Sequence, residues 1–87
     1  MVDIALPEQV PVPDGALAIW VIYDHPKDFP KGFVLRAQFA MPGGAITMSK
    51  AAWYASDPDQ LRSILPFGVV RMERHPDDDP SIVETWV

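Results

Sequence analysis

Two apolar runs separated by a proline-rich loop constrain the fold of this chain more than any other feature. Residues 17–23 read LAIWVIY, and a continuous apolar run with β-branched and aromatic side chains is typical of a strand buried on both faces. Residues 33–41 alternate instead, which places Arg36 and Gln38 on the face opposite the large apolar side chains. The loop at 25–32 is too long for a two-residue turn. The sequence therefore predicts a hairpin whose first strand is central in a sheet.

The clearest local signal is a helix start at Asp57. Its carboxylate can accept a hydrogen bond from a free amide of the first turn, Pro58 fits the first helical position, and Gln60 can reach back to the cap. Pro66 then ends the helix, which is predicted over residues 58–65. The apolar stripe expected to pack on the sheet consists of Leu61, Ile64 and Leu65.

Further apolar segments predict the remaining strands, at residues 45–48, 51–55, 67–73 and 81–87. The predicted fold class is α+β: a small single domain with a mostly antiparallel sheet of about five strands in the order β-β-β-α-β-β. The one short helix is expected to pack on one face of that sheet.

Residues 1–15 differ from the rest of the chain because they hold three closely spaced prolines. Proline disfavours both helix interiors and central strands, so this segment is predicted to be an extended arm beside a single α+β domain of residues 16–87. The arm is either a loosely held tail or a segment that lies against the domain or a neighbouring subunit.

Composition excludes several classes of protein. The absence of cysteine rules out disulfides, thiolate chemistry and iron–sulfur clusters. The seven Lys/Arg are scattered and the net charge is −5, so no nucleic-acid partner is expected. No apolar run approaches the roughly 18 residues of a membrane span, and the N-terminus lacks the features of a signal peptide. We therefore expect a soluble, cytoplasmic protein with no membrane partner.

A short motif occurs twice, fifty residues apart. Residues 25–30 and residues 75–80 both read H-P-x-D-x-P, and each segment lies between two predicted strands. Shared turn chemistry explains the likeness in one interpretation, because Pro and Asp are favoured in such loops. In the other, the two loops are duplicated or paired for function.

The run IWVIYDHPKDFP at residues 19–30 resembles the opening of a group of short, uncharacterised bacterial proteins that share a WVIYDHPxDFP-like segment. In that group the segment is followed by a capped helix like the one predicted at 58–65 and by a final strand like the one at 82–87. The resemblance implies a bacterial source. The group has no known function, so it implies no activity.

The two H-P-x-D-x-P loops provide the one candidate site for a ligand. If they meet at the same end of the sheet, His25, Asp28, His75 and Asp78 could together bind a divalent metal or a small ligand. Neither H-x-H nor H-x-x-x-H spacing occurs, so no cofactor is predicted beyond this possible divalent ion. No catalytic residues are predicted either, because the chain has no G-x-S-x-G elbow and no P-loop.

Two tryptophans are candidates for an interface, Trp53 and Trp86, because both fall on segments that could be sheet edges, where an aromatic side chain is often part of the core and sometimes an interface anchor. The favoured function is accordingly a small, non-enzymatic bacterial domain that acts through protein–protein contact, with itself as a homodimer or with another protein. The alternative is the metal or small-ligand site at the two loops.

Overall fold

The computed structural model of the chain describes residues 6–74 and 79–87. Its elements, in chain order, are a 3₁₀ turn at Pro7–Gln9, β1 (Leu17–Asp24), β2 (Phe33–Ala40), β3 (Ile46–Ala55), α1 (Pro58–Arg62), β4 (Arg71–Met72) and β5 (Ile82–Trp86). No helix within the described ranges is long and apolar enough to span a membrane.

The five strands form one antiparallel sheet in the order β3-β2-β1-β5-β4. The predicted α+β fold is confirmed, and the continuous apolar run of β1 occupies the middle of the sheet as expected. Because β1 and β5 are antiparallel neighbours, the end of β1 and the start of β5 lie at the same end of the sheet. The loops that follow β1 and precede β5 are thereby brought to one edge of the molecule.

One face of the sheet carries the hydrophobic core, and we call it the covered face. Trp20, Ile22 and Leu35 are almost completely buried there, and the ring centres of Trp20 and Trp53 lie 6.0 Å apart. Leu61 of α1 is 2% exposed and packs on this cluster, as the helical stripe predicted. The five-residue helix is too short to be stable alone, so this packing maintains it.

The helix begins as predicted. The Asp57 carboxylate accepts a hydrogen bond from the Asp59 amide at 2.8 Å, and Pro58 takes the first helical position. The regular helix ends earlier than expected, at Arg62 instead of residue 65. Its last turn tightens beyond that point, because Ile64 and Leu65 donate to carbonyls only three residues back.

Three segments differ from the sequence predictions. The strands expected at residues 45–48 and 51–55 form one strand, β3 (Ile46–Ala55), whose irregularity is centred between the two predicted segments. The strand expected over residues 67–73 is reduced to Arg71–Met72, because Gly68 adopts a positive φ of 89° and Phe67 is fully exposed. The arm was predicted to be extended, but over Pro7–Gln9 it forms a 3₁₀ turn. Proline is compatible with the first position of a helical turn, and Pro7 is buried. The division of the chain at residue 15 remains a prediction.

Candidate functional site

A cavity of about 560 Å³ lies at the end of the sheet where β1 finishes and β5 begins. Both H-P-x-D-x-P segments contribute to it: His25 and Asp28 from the first, Asp79 and Pro80 from the second. Val34 of β2 lies beneath the cavity and is completely buried. The two motifs therefore meet at one site, at least through the residues of the second motif that the structure describes.

The first loop is held in place by its backbone. The His25 amide donates to the Gly32 carbonyl at 2.8 Å, and the Phe29 amide donates to the Pro26 carbonyl at 3.0 Å. Gly32 is required because a Cβ there would lie 2.6 Å from the backbone oxygen of Ala55. His25 itself has a φ of 48°, a left-handed conformation that is costly for a residue with a Cβ.

The His25 ring is fixed on two sides. Its Nδ1 pairs with the Asp24 carboxylate, and the ring meets the edge of Phe33 with the ring centres 5.4 Å apart. These contacts and the backbone bond to Gly32 hold the strained residue at the wall of the cavity. The Nε2 atom is the ring nitrogen that the Asp24 pairing leaves available.

Asp28 folds back over the sheet to form an ion pair with Arg36 of β2. Burial lowers the pKa of Arg36, but its hydrogen bonds to Asp28 and Tyr54 outweigh burial and raise that pKa overall. The Phe29 ring lies against the Tyr54 ring, with the ring centres 4.5 Å apart. The loop is thus packed on the sheet through both a charge pair and an aromatic pair.

Asp79 organises the other side of the cavity. Its Oδ1 accepts hydrogen bonds from the amide of Ser81 at 2.9 Å and from the hydroxyl of Ser81 at 2.8 Å. These bonds stabilise the ionised carboxylate and lower the pKa of Asp79. The Ser81 carbonyl in turn accepts a 2.6 Å bond from the Asp24 amide, which joins the two loops through their backbones.

Of the predicted ligand set, His25 and Asp28 line the same cavity, whereas His75 and Asp78 lie outside the described residues. Within residues 6–74 and 79–87, no group of three His, Asp or Glu side chains could hold a metal ion. The divalent-metal prediction therefore remains a prediction. Sequence reasoning missed Lys27 and Arg36 as members of the cavity, although the alternation of β2 had already assigned Arg36 to the correct face.

The two predicted interface tryptophans lie on the covered face. Trp53 is 8% exposed and packs on Trp20, and Trp86 is half-buried opposite Trp20 on β5. Their described contacts are thus with the core of their own chain. The exposed apolar side chains of the sheet lie elsewhere.

The other face of the sheet, which we call the open face, carries rows of cross-strand neighbours that no described helix covers. The register places Leu17 beside Ala40 and Ile46, and Tyr23 beside Val34 and Tyr54. The large apolar side chains that are 50–57% exposed on this face are Leu17, Ile46, Met48, Tyr54 and Met72. The remaining members are Ile19, Val21, Arg36, Gln38, Ala52 and Thr85.

The edge strand β3 has an irregularity at its middle. Its register against β2 shifts between Arg36 and Gln38, so that three residues of β3 oppose Ala37. The Ser49 hydroxyl accepts a 3.1 Å bond from the Ala51 amide, and Lys50 lies at the centre of this bulge. A bulge and an edge lysine are both devices that discourage pairing with another strand.

Comparison with known proteins adds no relative. No family model matches the chain, and no curated protein or solved structure matches it. The resemblance of residues 19–30 to short bacterial proteins therefore remains a prediction, and so does the bacterial source that it implies.

Proposed function

We propose that this chain is a non-enzymatic domain that acts through protein–protein contact, and that a second copy of the chain is its partner. Two sheets would pack open face against open face, as in a β-sandwich. The observation that supports this is the row of half-exposed apolar side chains on the open face. An antiparallel sheet that faces water on one side normally carries polar residues there.

The area of the open face suits a stable dimer. Strands spaced about 4.8 Å apart, with about 3.3 Å per residue and lengths of 8, 8, 10, 2 and 5 residues, give the sheet a face of roughly 520 Å² in projection. Standard interfaces bury about 800 Å² per partner, and protruding side chains make the accessible area larger than the projection. Asp28 and Phe29 of the first loop cover the end of this face at Arg36 and Tyr54, so a second copy would contact mainly the exposed side chains Leu17, Ile46 and Met48 and the loop itself.

Charge also permits two copies to meet on this face. The net charge of −5 repels copies in general, but Arg36 is the only charged side chain in the described rows of the open face. Its charge is paired with Asp28 within the same chain. Symmetric contact, in which the same patch serves on both copies, is the commonest arrangement of homo-oligomers.

Face packing is favoured over edge pairing. Joining two sheets through β3 would have to accommodate the bulge of β3 opposite Ala37 and place Lys50 at the junction. Both features weaken strand addition. No comparable obstacle interrupts the rows from Leu17 to Ile46 or from Ile19 to Met48.

Sedimentation equilibrium of the full chain tests the proposal. We expect a dimer at micromolar concentration, and we expect Met48→Glu to shift it towards monomer because the charge would be buried between the two faces. Phe67→Glu is the matched control, since Phe67 is fully exposed but lies outside the sheet. A wild-type chain that is monomeric at millimolar concentration would falsify the proposal, as would equal effects of the two substitutions.

A further inference from the structure

The cavity at the end of the sheet has an imbalance between hydrogen-bond donors and acceptors. Its carboxylates already have partners within the chain: Asp28 pairs with Arg36, and Asp79 accepts two bonds from Ser81. The Lys27 side chain, in contrast, makes no hydrogen bond within the described part of the chain. Asp79 interacts with it only as a more distant charge. An ammonium offers three donors and a guanidinium five. Lys27 is therefore the cation of the cavity with unused donors, while one oxygen of each carboxylate, Asp28 Oδ1 and Asp79 Oδ2, accepts no bond among the described residues.

The cavity also has the size and lining of a site for a small molecule. Its volume of about 560 Å³ falls within the range of roughly 300–1,000 Å³ that is usual for such sites. Pro26 and Pro80 provide apolar contact surface between the polar groups. The wall at His25 is held by its backbone bond and ring contacts, so the pocket is preformed.

We propose that this cavity binds a small organic anion, with a carboxylate or phosphate group held by Lys27 and Arg36 and an apolar body lying against Pro26 and Pro80. A charge-assisted hydrogen bond to each cation would fix the anionic end. Every residue that it uses belongs to one chain, but Arg36 also lies on the open face, so a bound ligand and a second copy of the chain would share that end of the face. It also requires no metal ion.

Titration of the ¹⁵N-labelled chain followed by NMR tests the inference, with benzoate, phenyl phosphate, inorganic phosphate and uncharged benzyl alcohol as probes. We expect saturable shifts of the amides of residues 25–28 and 81 with benzoate or phenyl phosphate, and weaker or no binding of benzyl alcohol. Binding by phenyl phosphate alone, or by benzoate alone, would identify the preferred anionic group. Saturation by inorganic phosphate as tightly as by phenyl phosphate would contradict the role of the apolar contacts at Pro26 and Pro80.

The variant Lys27→Ala should weaken binding about tenfold, the loss typical of one charge-assisted hydrogen bond. Lys31→Ala is the matched control, because Lys31 belongs to the same loop but does not line the cavity. Repeating the titration in Met48→Glu separates the two proposals, since binding should persist in this variant, whose open face is not covered by a second copy. Equal losses in the two lysine variants, or no saturable shifts with any probe, would overturn the inference.

Discussion

Glu84 is the one charged side chain that is buried within the described ranges, and its pairing fixes the helix to the sheet. It is 4% exposed and lies on the covered face. Its carboxylate accepts hydrogen bonds from Arg62 Nε at 2.5 Å and from Arg62 Nη2 at 3.4 Å. The bonds to Glu84 and then to Asp59 outweigh burial and raise the pKa of Arg62. Without such a partner, the buried carboxylate would be strongly destabilising.

Replacing Arg62 with alanine should lower the free energy of unfolding by about 3 kcal/mol, because it leaves a buried carboxylate with only a distant cation. Arg71→Ala is the control: its nitrogen lies 3.7 Å from Glu84 and its side chain is 63% exposed, so we expect a loss below about 1 kcal/mol. Urea denaturation of both variants measures the difference. Similar losses in the two variants would mean that the Arg62–Glu84 pair does not fix the helix.

The second prediction at this scale concerns Ser81 and the ionisation of Asp79. Ser81→Ala removes the hydroxyl donor but keeps the amide donor, so the pKa of Asp79 should rise part of the way towards its ordinary value of 3.8. Because the folded pKa lies below 3.8, ionised Asp79 stabilises the loop at neutral pH, and this contribution is lost as the pH falls below about 4. Carbon-13 NMR titration of the carboxyl measures the shift. Ser63→Ala, in a distant turn, should leave it unchanged.

Among the elements, α1 is the one whose local signals can be tested most directly. Asp57→Ala removes the bond to the Asp59 amide and should cost about 1 kcal/mol of stability. Asp57→Asn keeps an acceptor oxygen at the same place and should cost much less. Denaturant midpoints of the two variants provide the measurement. Equal destabilisation by alanine and asparagine would show that the side-chain oxygen does not act as a cap.

Local sequence signals were sufficient where one interaction decides the structure. Asp57 and Pro58 predicted the helix start, and the unbroken apolar run of β1 predicted a central strand. The length of β4 was not predictable in this way, because the side chains of residues 67–70 are compatible with a strand. The decisive factor is the positive φ of Gly68, which tertiary context selects.

The candidate site was predictable only in part for a similar reason. The repeated motif placed His25 and Asp28 at a hairpin end, and the cavity contains both of them. The pairing of Asp28 with Arg36 depends on a loop folding back across the open face, which no spacing along the chain encodes. The burial of Glu84 was missed because a single Glu in a strand is usually exposed.

At the scale of the whole molecule, the fold is a sheet with one covered face. The radius of gyration is 12.7 Å, close to the roughly 12 Å expected for a compact chain of this length, and the shortest dimension is 24 Å. Sheets and helices pack in layers about 10 Å apart, so this thickness corresponds to the sheet and the layer on its covered face. A second copy on the open face would enclose the sheet on both sides and enlarge a core that is small in the single chain.

If two copies enclose their sheets in this way, stability must depend on protein concentration, because dilution favours the dissociated and unfolded chains. We expect the thermal midpoint to fall by about 4 °C for each tenfold dilution, since dilution changes the free energy by about 1.4 kcal/mol and two chains of this size unfold together. Calorimetry at three concentrations measures the slope. Met48→Glu should remove the slope and Phe67→Glu should keep it. A midpoint that is independent of concentration in the wild-type chain would mean that the open face is stable in water without a partner.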